Sequence, residues 1–208
     1  MISDKWKKKV PGHWYEAQCG FVTEAMGEGE GEVLVVGSPL FELREIEDLG
    51  WRATYLDLRR PSNFEFYRFI NSDVRSSDLE DASFDVVTST CVLCHVGTGR
   101  YGDKVDPDGD FEALKELRRV LKPEGVFLSQ LGPVADITDT LTLKDHRIYT
   151  IRSARKMLLE SGFAIRGLVV WNTDKKEWRN ALEKPTSSTD QPDYLSVFCV
   201  PHVVPAYS

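Results

Sequence analysis

The sequence lacks any long hydrophobic run and has little cysteine. No apolar segment approaches the roughly 20 residues that a membrane-spanning helix requires, so we expect no membrane span. The stretch from Met1 to Val10 contains lysines without an apolar segment behind them, and a secretory signal is therefore not expected. The four cysteines do not form a disulfide-scaffold pattern, which agrees with a reducing compartment. These absences predict a cytoplasmic protein.

Positive charge is also in short supply. The chain has 26 Lys and Arg against 33 Asp and Glu, for a net charge of −7. Because binding to phosphate backbones needs a concentrated basic surface, we expect no nucleic-acid partner. The 208 residues, 41% of them hydrophobic, are enough to bury a core in one domain and exclude extensive disorder.

Buried strands alternate with helices along most of the chain. The apolar run Val33 to Val36, closed by Gly37, is typical of a strand buried on both faces. The same reasoning predicts strands at 51–56, 66–70, 84–89 and 126–129, and helices at 12–27, 39–49, 110–121 and 153–161. Strands are further predicted at 163–171 and 194–200, and because no crossover helix joins them they should form an antiparallel hairpin. This order indicates an α/β, doubly wound sheet with a reversed strand near one edge.

Candidate ligand-binding residues follow the predicted strands, since such sheets bind ligands at the carboxyl ends of their strands. A turn at Gly37 lets backbone N–H groups approach a ligand. Asp57 lies 20 residues further on, the distance at which a carboxylate meets a ribose diol, or else it caps a turn. Asp73 follows the third strand, where a carboxylate accepts from an adenine amino group or is an exposed turn residue.

Five segments together carry a family resemblance: Val33-Leu34-Val35-Val36-Gly37, Tyr55-Leu56-Asp57, Asn71-Ser72-Asp73-Val74-Arg75, Phe84-Asp85-Val86-Val87 and Leu117-Arg118-Arg119-Val120-Leu121-Lys122-Pro123-Glu124-Gly125. In this order they resemble the motifs of class I S-adenosylmethionine-dependent methyltransferases. The resemblance implies a Rossmann-like, seven-stranded, mostly parallel sheet with a C-terminal antiparallel hairpin. It also implies S-adenosylmethionine as cofactor, a methyltransferase domain at 32–208, and an N-terminal tail and lid helix at 1–31.

A narrower resemblance lies after the fourth strand. The segment His95-Val96-Gly97-Thr98-Gly99-Arg100-Tyr101-Gly102-Asp103, continued by Asp106-Pro107-Asp108-Gly109-Asp110, is similar to a signature of a methyltransferase subgroup found with glycan and polysaccharide biosynthesis. The later His146-Arg147-Ile148-Tyr149 resembles a second motif of that subgroup. The resemblance implies O-methylation of a sugar, a glycan precursor or another small molecule.

The family resemblance also implies a set of site residues. Those expected at the cofactor are Gly37, Ser38, Asp57, Leu58, Asp73, Val74, Ser89 and Thr90. Gly37 and Ser38 would hold the methionine end, with Ser89 and Thr90 near the amino acid moiety. Asp57 would hold the ribose, and Asp73 with Val74 the adenine.

Methylation of a hydroxyl also needs a base near the methyl group. His95 is the first candidate because the pKa of imidazole lies near neutrality; alternatively it only hydrogen-bonds the loop that follows it. His146 is the second candidate, with Arg147 and Tyr149 as acceptor-site groups. The alternative for these three residues is a structural cluster that holds the loop in place.

Two further patterns are interpreted structurally. Cys91-Val92-Leu93-Cys94-His95 matches a haem-attachment pattern, but haem attachment needs export, and zinc on this segment would place adjacent ligands in poor geometry. We therefore expect the cysteines to be packing residues and expect no metal. The acidic loop 97–110 lacks the spacing of a calcium loop and is expected to shape the acceptor pocket, with Asp110 capping the next helix.

The first motif keeps only one glycine, in Gly37-Ser38-Pro39. This departure from the family pattern motivates an alternative function, a module that binds S-adenosylmethionine or another nucleoside without transferase activity. A nicotinamide-dependent oxidoreductase on a similar sheet is a third hypothesis.

Overall fold

A computed structural model describes residues 14–37, 40–60, 68–172, 174–181 and 193–202. The helices are α1 (Trp14–Met26), α2 (Leu40–Asp48), α3 (Gly109–Val120) and α4 (Ile151–Glu160). The strands are β1 (Glu32–Val36), β2 (Arg52–Asp57), β3 (Arg68–Asn71), β4 (Phe84–Thr90), β5 (Leu121–Val134), β6 (Leu141–Thr142), β7 (Arg147–Ile148), β8 (Phe163–Asn172), β9 (Glu177–Asn180) and β10 (Asp193–Pro201).

One large sheet organises the fold, with the strand order β3-β2-β1-β4-β5-β10-β8-β9. Strands β1 to β5 pair in parallel, and β10 runs antiparallel to both of its neighbours, β5 and β8. The predicted α/β fold, the mostly parallel sheet and the antiparallel hairpin are thus confirmed. Strands β6 and β7 form a separate two-stranded ladder.

The sheet has eight strands, and the predicted number of seven is wrong. The additional strand, β9, lies at the edge, and its residues fall between the two segments predicted to form the hairpin. Its sequence, Glu-Trp-Arg-Asn, has one large apolar residue, Trp178, whose ring packs edge-on against Trp171 of β8 with centroids 5.3 Å apart. Arg179 forms an ion pair with the buried Asp193 of β10 over 2.8 Å. Because these contacts are with distant residues, the four-residue sequence of β9 shows no alternation of apolar and polar residues that would predict a strand.

Strand β5 is much longer than the predicted segment 126–129. It begins directly after α3, and its pairing with β4 shifts between Phe84↔Leu121 and Val86↔Val126. This irregularity accommodates Pro123, which has no N–H to donate to a regular ladder.

Two apolar layers enclose the sheet. Leu34 and Val36 of β1 belong to the layer that includes α3 and α4 residues, whereas Val33 and Val35 belong to the layer that includes α1 and α2 residues. Adjacent residues of β1 therefore face opposite layers, as the continuous apolar run predicted. Among the described residues, no helix is long and apolar enough to cross a membrane.

The described part of α1 packs on the second layer. Phe21 and Val22 are buried there, and the Phe21 ring centroid lies 5.8 Å from that of Trp178. Residues 1–13 lie outside the described residues. The division into a tail and lid helix at 1–31 and a domain at 32–208 stays a prediction.

Candidate functional site

A cleft of about 670 Å³ opens at the carboxyl ends of β1, β2 and β4. Strands β1 and β4 are neighbours at the point where the strand order reverses, which is where open α/β sheets bind their ligands. Seven of the residues predicted from sequence line the cleft: Gly37, Asp57, Leu58, Asp73, Val74, Thr90 and His95. Its volume lies within the range of small-molecule sites.

Gly37 provides a close approach of the backbone to the cleft. Its φ is +55°, and a Cβ atom at this position would lie 2.9 Å from Cγ2 of Val92. A side chain would thus be strained here and would crowd Val92, another residue of the cleft wall. Ser38, predicted to assist Gly37, lies outside the described residues.

Asp57 presents an oriented carboxylate at the end of β2. The Tyr55 hydroxyl donates to Oδ2 over 3.1 Å, and the backbone N–H of Arg59 donates to Oδ1 over 2.8 Å. The Asn71 side-chain amide donates to the carbonyls of Asp57 and Leu58 over 3.2 and 2.8 Å, which fixes the turn. Burial, followed by the charge of Asp57, raises the pKa of Tyr55, so its hydroxyl remains a donor. A carboxylate has about four acceptor positions, and Asp57 therefore retains capacity for a ligand.

Asp73, after β3, is paired with Arg75. Arg75 donates from its backbone N–H and Nε to Oδ1, and from Nε and Nη2 to Oδ2, over 2.6 to 3.2 Å. These hydrogen bonds lower the pKa of Asp73. Arg75 contacts both carboxylate oxygens, yet Asp73 and Val74 both line the cleft. The assignment of these two residues to the adenine stays a prediction.

The end of β4 contacts a buried carboxylate, Glu42, that no sequence pattern indicated. Glu42 of α2 accepts from the hydroxyls of Thr88 and Thr90 over 2.9 and 2.8 Å. Thr90 lines the cleft with its hydroxyl directed to Glu42. Ser89 is fully buried between neighbouring strands and does not line the cleft; its carbonyl accepts from Ser129 over 2.7 Å. Its assignment to the cofactor stays a prediction.

The two predicted catalytic histidines share one partner, Asp145. Nδ1 of His95 lies 2.6 Å from the Asp145 carbonyl oxygen, and Nδ1 of His146 lies 2.8 Å from its Oδ1. Their ring centroids are 6.2 Å apart. His95 lines the cleft, whereas His146 does not. Asp145 was not among the predicted site residues, and its position directly before His146 is the one feature of the sequence that points to it.

Tyr101 lies between the two sides of the cleft. Its ring is 5.6 Å from that of His95 in an edge-on arrangement, and the Arg59 guanidinium stacks 4.0 Å from its centroid. Arg59 follows β2 and Tyr101 belongs to the loop 97–110, so this contact connects two strand ends. The sequence gives no sign of the contact between Arg59 and Tyr101, because the two residues are far apart in the chain.

Arg147 and Tyr149 hold the loop 97–110 rather than line the cleft. The buried Arg147 guanidinium donates to the carbonyls of Val96, Asp106 and Pro107. Tyr149 donates to Oδ2 of Asp110 over 2.8 Å. These contacts agree with the alternative that Arg147 and Tyr149 belong to a structural cluster that holds the loop in place.

The predicted capping role of Asp110 is wrong. Asp108 is the N-cap of α3 and its side chain makes no capping hydrogen bond. Asp110 is the second residue of the helix, where its Oδ1 accepts from the N–H of Phe111 over 3.1 Å. Burial raises the pKa of the Asp110 carboxyl, although Arg147 and the Tyr149 hydroxyl oppose the effect.

Cys91 packs against the apolar core, as the sequence predicts, and it also lines the cleft. Its Sγ lies 3.8 Å from Sγ of the buried Cys94. The hydrogen bond with Cys94, followed by that with His95, lowers the pKa of the Cys91 thiol to about 6 against the opposing effect of burial.

A family model described as "Caenorhabditis protein of unknown function, DUF268" matches residues 70–192, more than half of the chain. The chain belongs to this family. The DUF268 match includes β4, the cysteine and histidine segment 91–95 and the loop 97–110, and it begins after Gly37 and Asp57. No curated protein matches the sequence.

Solved structures similar to this DUF268 chain include methyltransferases. The 1,6-didemethyltoxoflavin-N1-methyltransferase of Burkholderia thailandensis, with bound 1,6-didemethyltoxoflavin and S-adenosylhomocysteine, matches at a TM-score of 0.69 and 17% identity, over 96% of this chain and 82% of that one. An S-adenosylmethionine dependent methyltransferase from Mesorhizobium loti matches at 0.60 and 13%, over 92% and 100%. The cyclase SpnF matches at 0.69 and 15%, over 96% and 87%. These similarities show that the DUF268 chain has the class I methyltransferase fold.

The DUF268 cleft is chemically suited to S-adenosylmethionine. The backbone at Gly37 lies on the cleft wall without a side chain, and the carboxylate of Asp57 retains acceptor capacity for a ribose diol. Val74 contributes an apolar surface to the same cleft. These are features of the chain's own geometry, independent of the likeness to solved structures.

Proposed function

We propose that this DUF268 protein is an S-adenosylmethionine-dependent methyltransferase that methylates an oxygen of a sugar, a glycan precursor or another small molecule in the cytoplasm. One observation carries the proposal: a single cleft at the reversal point of the sheet has Gly37 and the oriented carboxylate of Asp57 on its wall.

The proposal assigns a group of the chain to each part of the cofactor. Asp57 would accept from the ribose hydroxyls, the backbone at Gly37 and Ser38 would hold the methionine end, and Val74 would contact the adenine. The cofactor supplies a methyl group that its sulfonium already activates. The protein therefore has to align the acceptor and remove its proton.

His95 is the proposed base. Its Nδ1 is held by the Asp145 carbonyl, so the tautomer protonated on Nδ1 donates there and leaves Nε2 as the acceptor. Nε2 would take the proton of an acceptor hydroxyl in the cleft. His146 does not line the cleft and is the second candidate; its ring packs against His95.

Labelled methyl transfer tests this proposal. The full-length protein is incubated with methyl-labelled S-adenosylmethionine and with nucleotide sugars or fractionated small molecules from cell extracts, and labelled products are identified. We expect His95→Gln to lower the rate by about 10²- to 10⁴-fold while cofactor affinity is retained. His202→Gln, at an exposed histidine, is the matched control. A rate unchanged in His95→Gln would contradict the assignment of His95 as the base.

The alternative is a binding module without transferase activity. The single glycine of Gly37-Ser38-Pro39 favours it, and the fold is shared with the cyclase SpnF. Cofactor binding without any labelled product would support this alternative. Binding of NADH in place of S-adenosylmethionine would instead support the oxidoreductase hypothesis.

A further inference from the structure

Three potential metal ligands meet on the wall of the cleft. One donor atom each from Cys91, Cys94 and His95 lies within 4.8 Å of the other two. Cys91 and His95 line the cleft, and Cys94 is fully buried behind them. In the part of the chain that the structure describes, one group of at least three His, Cys, Asp or Glu side chains is close enough to hold an ion, and it is this group.

The local backbone explains how neighbouring residues converge. Cys91 has a φ of +57°, an unusual value for a residue other than glycine, and its N–H donates to the Gln130 carbonyl over 3.0 Å. Leu93–His95 then forms a single 3₁₀ turn. This sharp change of direction after β4 brings Cys91 back to Cys94 and His95. It removes the objection, raised from sequence, that adjacent residues would make poor ligands.

The separation of the two sulfur atoms matches zinc chemistry. Tetrahedral Zn²⁺ binds thiolate sulfur at about 2.3 Å, which places two such sulfurs about 3.8 Å apart. Sγ of Cys91 and Sγ of Cys94 are 3.8 Å apart. A disulfide would require about 2.05 Å, so the present arrangement suits an ion between the sulfurs better than a bond.

The His95 ring is oriented as zinc-binding histidines are. Such a histidine donates its other ring N–H to a carboxylate or a backbone carbonyl, which fixes the ring and its tautomer. Nδ1 of His95 lies 2.6 Å from the Asp145 carbonyl oxygen, and Nε2 is therefore the nitrogen that remains for a ligand.

We propose that Cys91, Cys94 and His95 bind one Zn²⁺ ion, with a fourth coordination position open to the cleft. Two thiolates and one imidazole are a ligand set of catalytic zinc, which keeps one position for water or substrate. Binding releases the two thiol protons and leaves the site without net charge. With Zn²⁺ bound, Nε2 of His95 is a ligand, and the role of base proposed above belongs to the metal-free protein. An acceptor hydroxyl at the open position of the ion would lose its proton more readily and release it to solvent in the cleft.

Metal titration of the reduced, metal-free, full-length protein tests the inference. Co²⁺ serves as the probe because thiolate ligation gives it a strong charge-transfer absorption. We expect saturation at one Co²⁺ per chain and displacement by Zn²⁺. Elemental analysis after dialysis should find one zinc per chain. The readout requires neither S-adenosylmethionine nor an acceptor, so its failure is distinguishable from failure of the proposed function.

Variants assign the site. Cys91→Ser is the primary variant because Cys91 is only partly buried, and we expect it to weaken metal binding at least about tenfold; Cys94→Ser and His95→Gln should do the same. Cys199→Ser is the matched control, since Cys199 is buried in β10 outside the cluster. The proposal is overturned if the reduced wild-type protein shows no charge-transfer band. It is equally overturned if Cys91→Ser binds Co²⁺ as tightly as the wild type does.

Discussion

The Tyr55 hydroxyl donates a hydrogen bond to Oδ2 of Asp57 over 3.1 Å, two residues away on the same strand. Both residues line the cleft, and the Arg59 N–H holds the other carboxylate oxygen. The carboxylate is therefore oriented before any ligand arrives. Preorganisation of this kind raises affinity because less side-chain freedom is lost on binding.

Replacement of Asp57 should weaken cofactor binding. Asp57→Ala removes a charged acceptor for the ribose, and we expect a loss of about 1–3 kcal/mol, or roughly 5- to 150-fold in Kd. Isothermal titration calorimetry with S-adenosylhomocysteine measures it. Asp48→Ala, at an exposed position in α2, is the control, and an equal loss in both variants would contradict a specific role for Asp57.

Tyr55→Phe separates orientation from charge. The variant keeps the carboxylate and removes one of its two donors, so we expect a smaller loss than in Asp57→Ala, of about 0.5–1.5 kcal/mol. Affinity equal to that of the wild type would show that the hydrogen bond does not preorganise Asp57.

Replacement of Gly37 tests whether cofactor binding requires a residue without a side chain at this point of the cleft wall. A Cβ at Gly37 would lie 2.9 Å from Val92 Cγ2, and φ is +55°, so Gly37→Ala should lose stability of about 1 kcal/mol and also cofactor affinity. Gly27→Ala is the matched control because Gly27 has a φ of +66° and no atom within 4 Å of the added Cβ. We expect the control to lose stability in urea denaturation and to keep its affinity. If both variants lose affinity, the loss in Gly37→Ala follows from backbone strain, and a specific role of Gly37 in cofactor binding is contradicted.

The ion pair of Asp73 and Arg75 predicts a pH dependence of stability. The pKa of Asp73 is lowered in the folded state, so the folded protein holds this proton less tightly than the unfolded chain does. The stabilisation is complete above the unfolded pKa of about 3.9 and is lost as the pH falls through the lower folded pKa. Asp73→Asn should therefore cost about 1 kcal/mol at neutral pH and progressively less below pH ~4.

A double-mutant cycle provides the control for this ion pair. In an Arg75→Gln background, Asp73→Asn should have little further effect on the free energy of unfolding. An undiminished effect in that background would show that Arg75 is not the group that stabilises the carboxylate.

The buried contact between Tyr149 and Asp110 should stabilise the fold. Tyr149→Phe removes the donor to Oδ2 and leaves a buried carboxyl with Arg147 as its nearest charge, 3.7 Å away, so we expect a loss of about 1–3 kcal/mol in urea denaturation. Tyr101→Phe, at a ring that is 38% exposed, should change stability by less than about 0.5 kcal/mol. Equal effects would argue against a special contribution from the buried pair.

The sheet and one side of the site could be predicted from sequence because their signals are local. The run before Gly37 indicates a doubly buried strand, and the spacing from Gly37 to Asp57 follows from the length of one strand-helix-strand unit. Both residues line the same cleft. The β9 strand was missed because Trp178 is stabilised by contacts with distant rings, which its own four-residue sequence does not show.

The rest of the site depends on contacts that spacing does not reveal. Arg75 is two residues from Asp73, but only side-chain geometry shows that it occupies both carboxylate oxygens. The C-x-x-C-H pattern drew attention to Cys91 and Cys94, but their convergence depends on the positive φ of Cys91, which the pattern does not show.

Calorimetry with the wild-type protein measures whether the cleft binds S-adenosylmethionine. Full-length protein is titrated with S-adenosylmethionine and with S-adenosylhomocysteine. The account predicts that both bind with one site per chain, and that Asp57→Ala weakens both while Asp48→Ala does not. Absence of binding by either compound at millimolar concentration would contradict it.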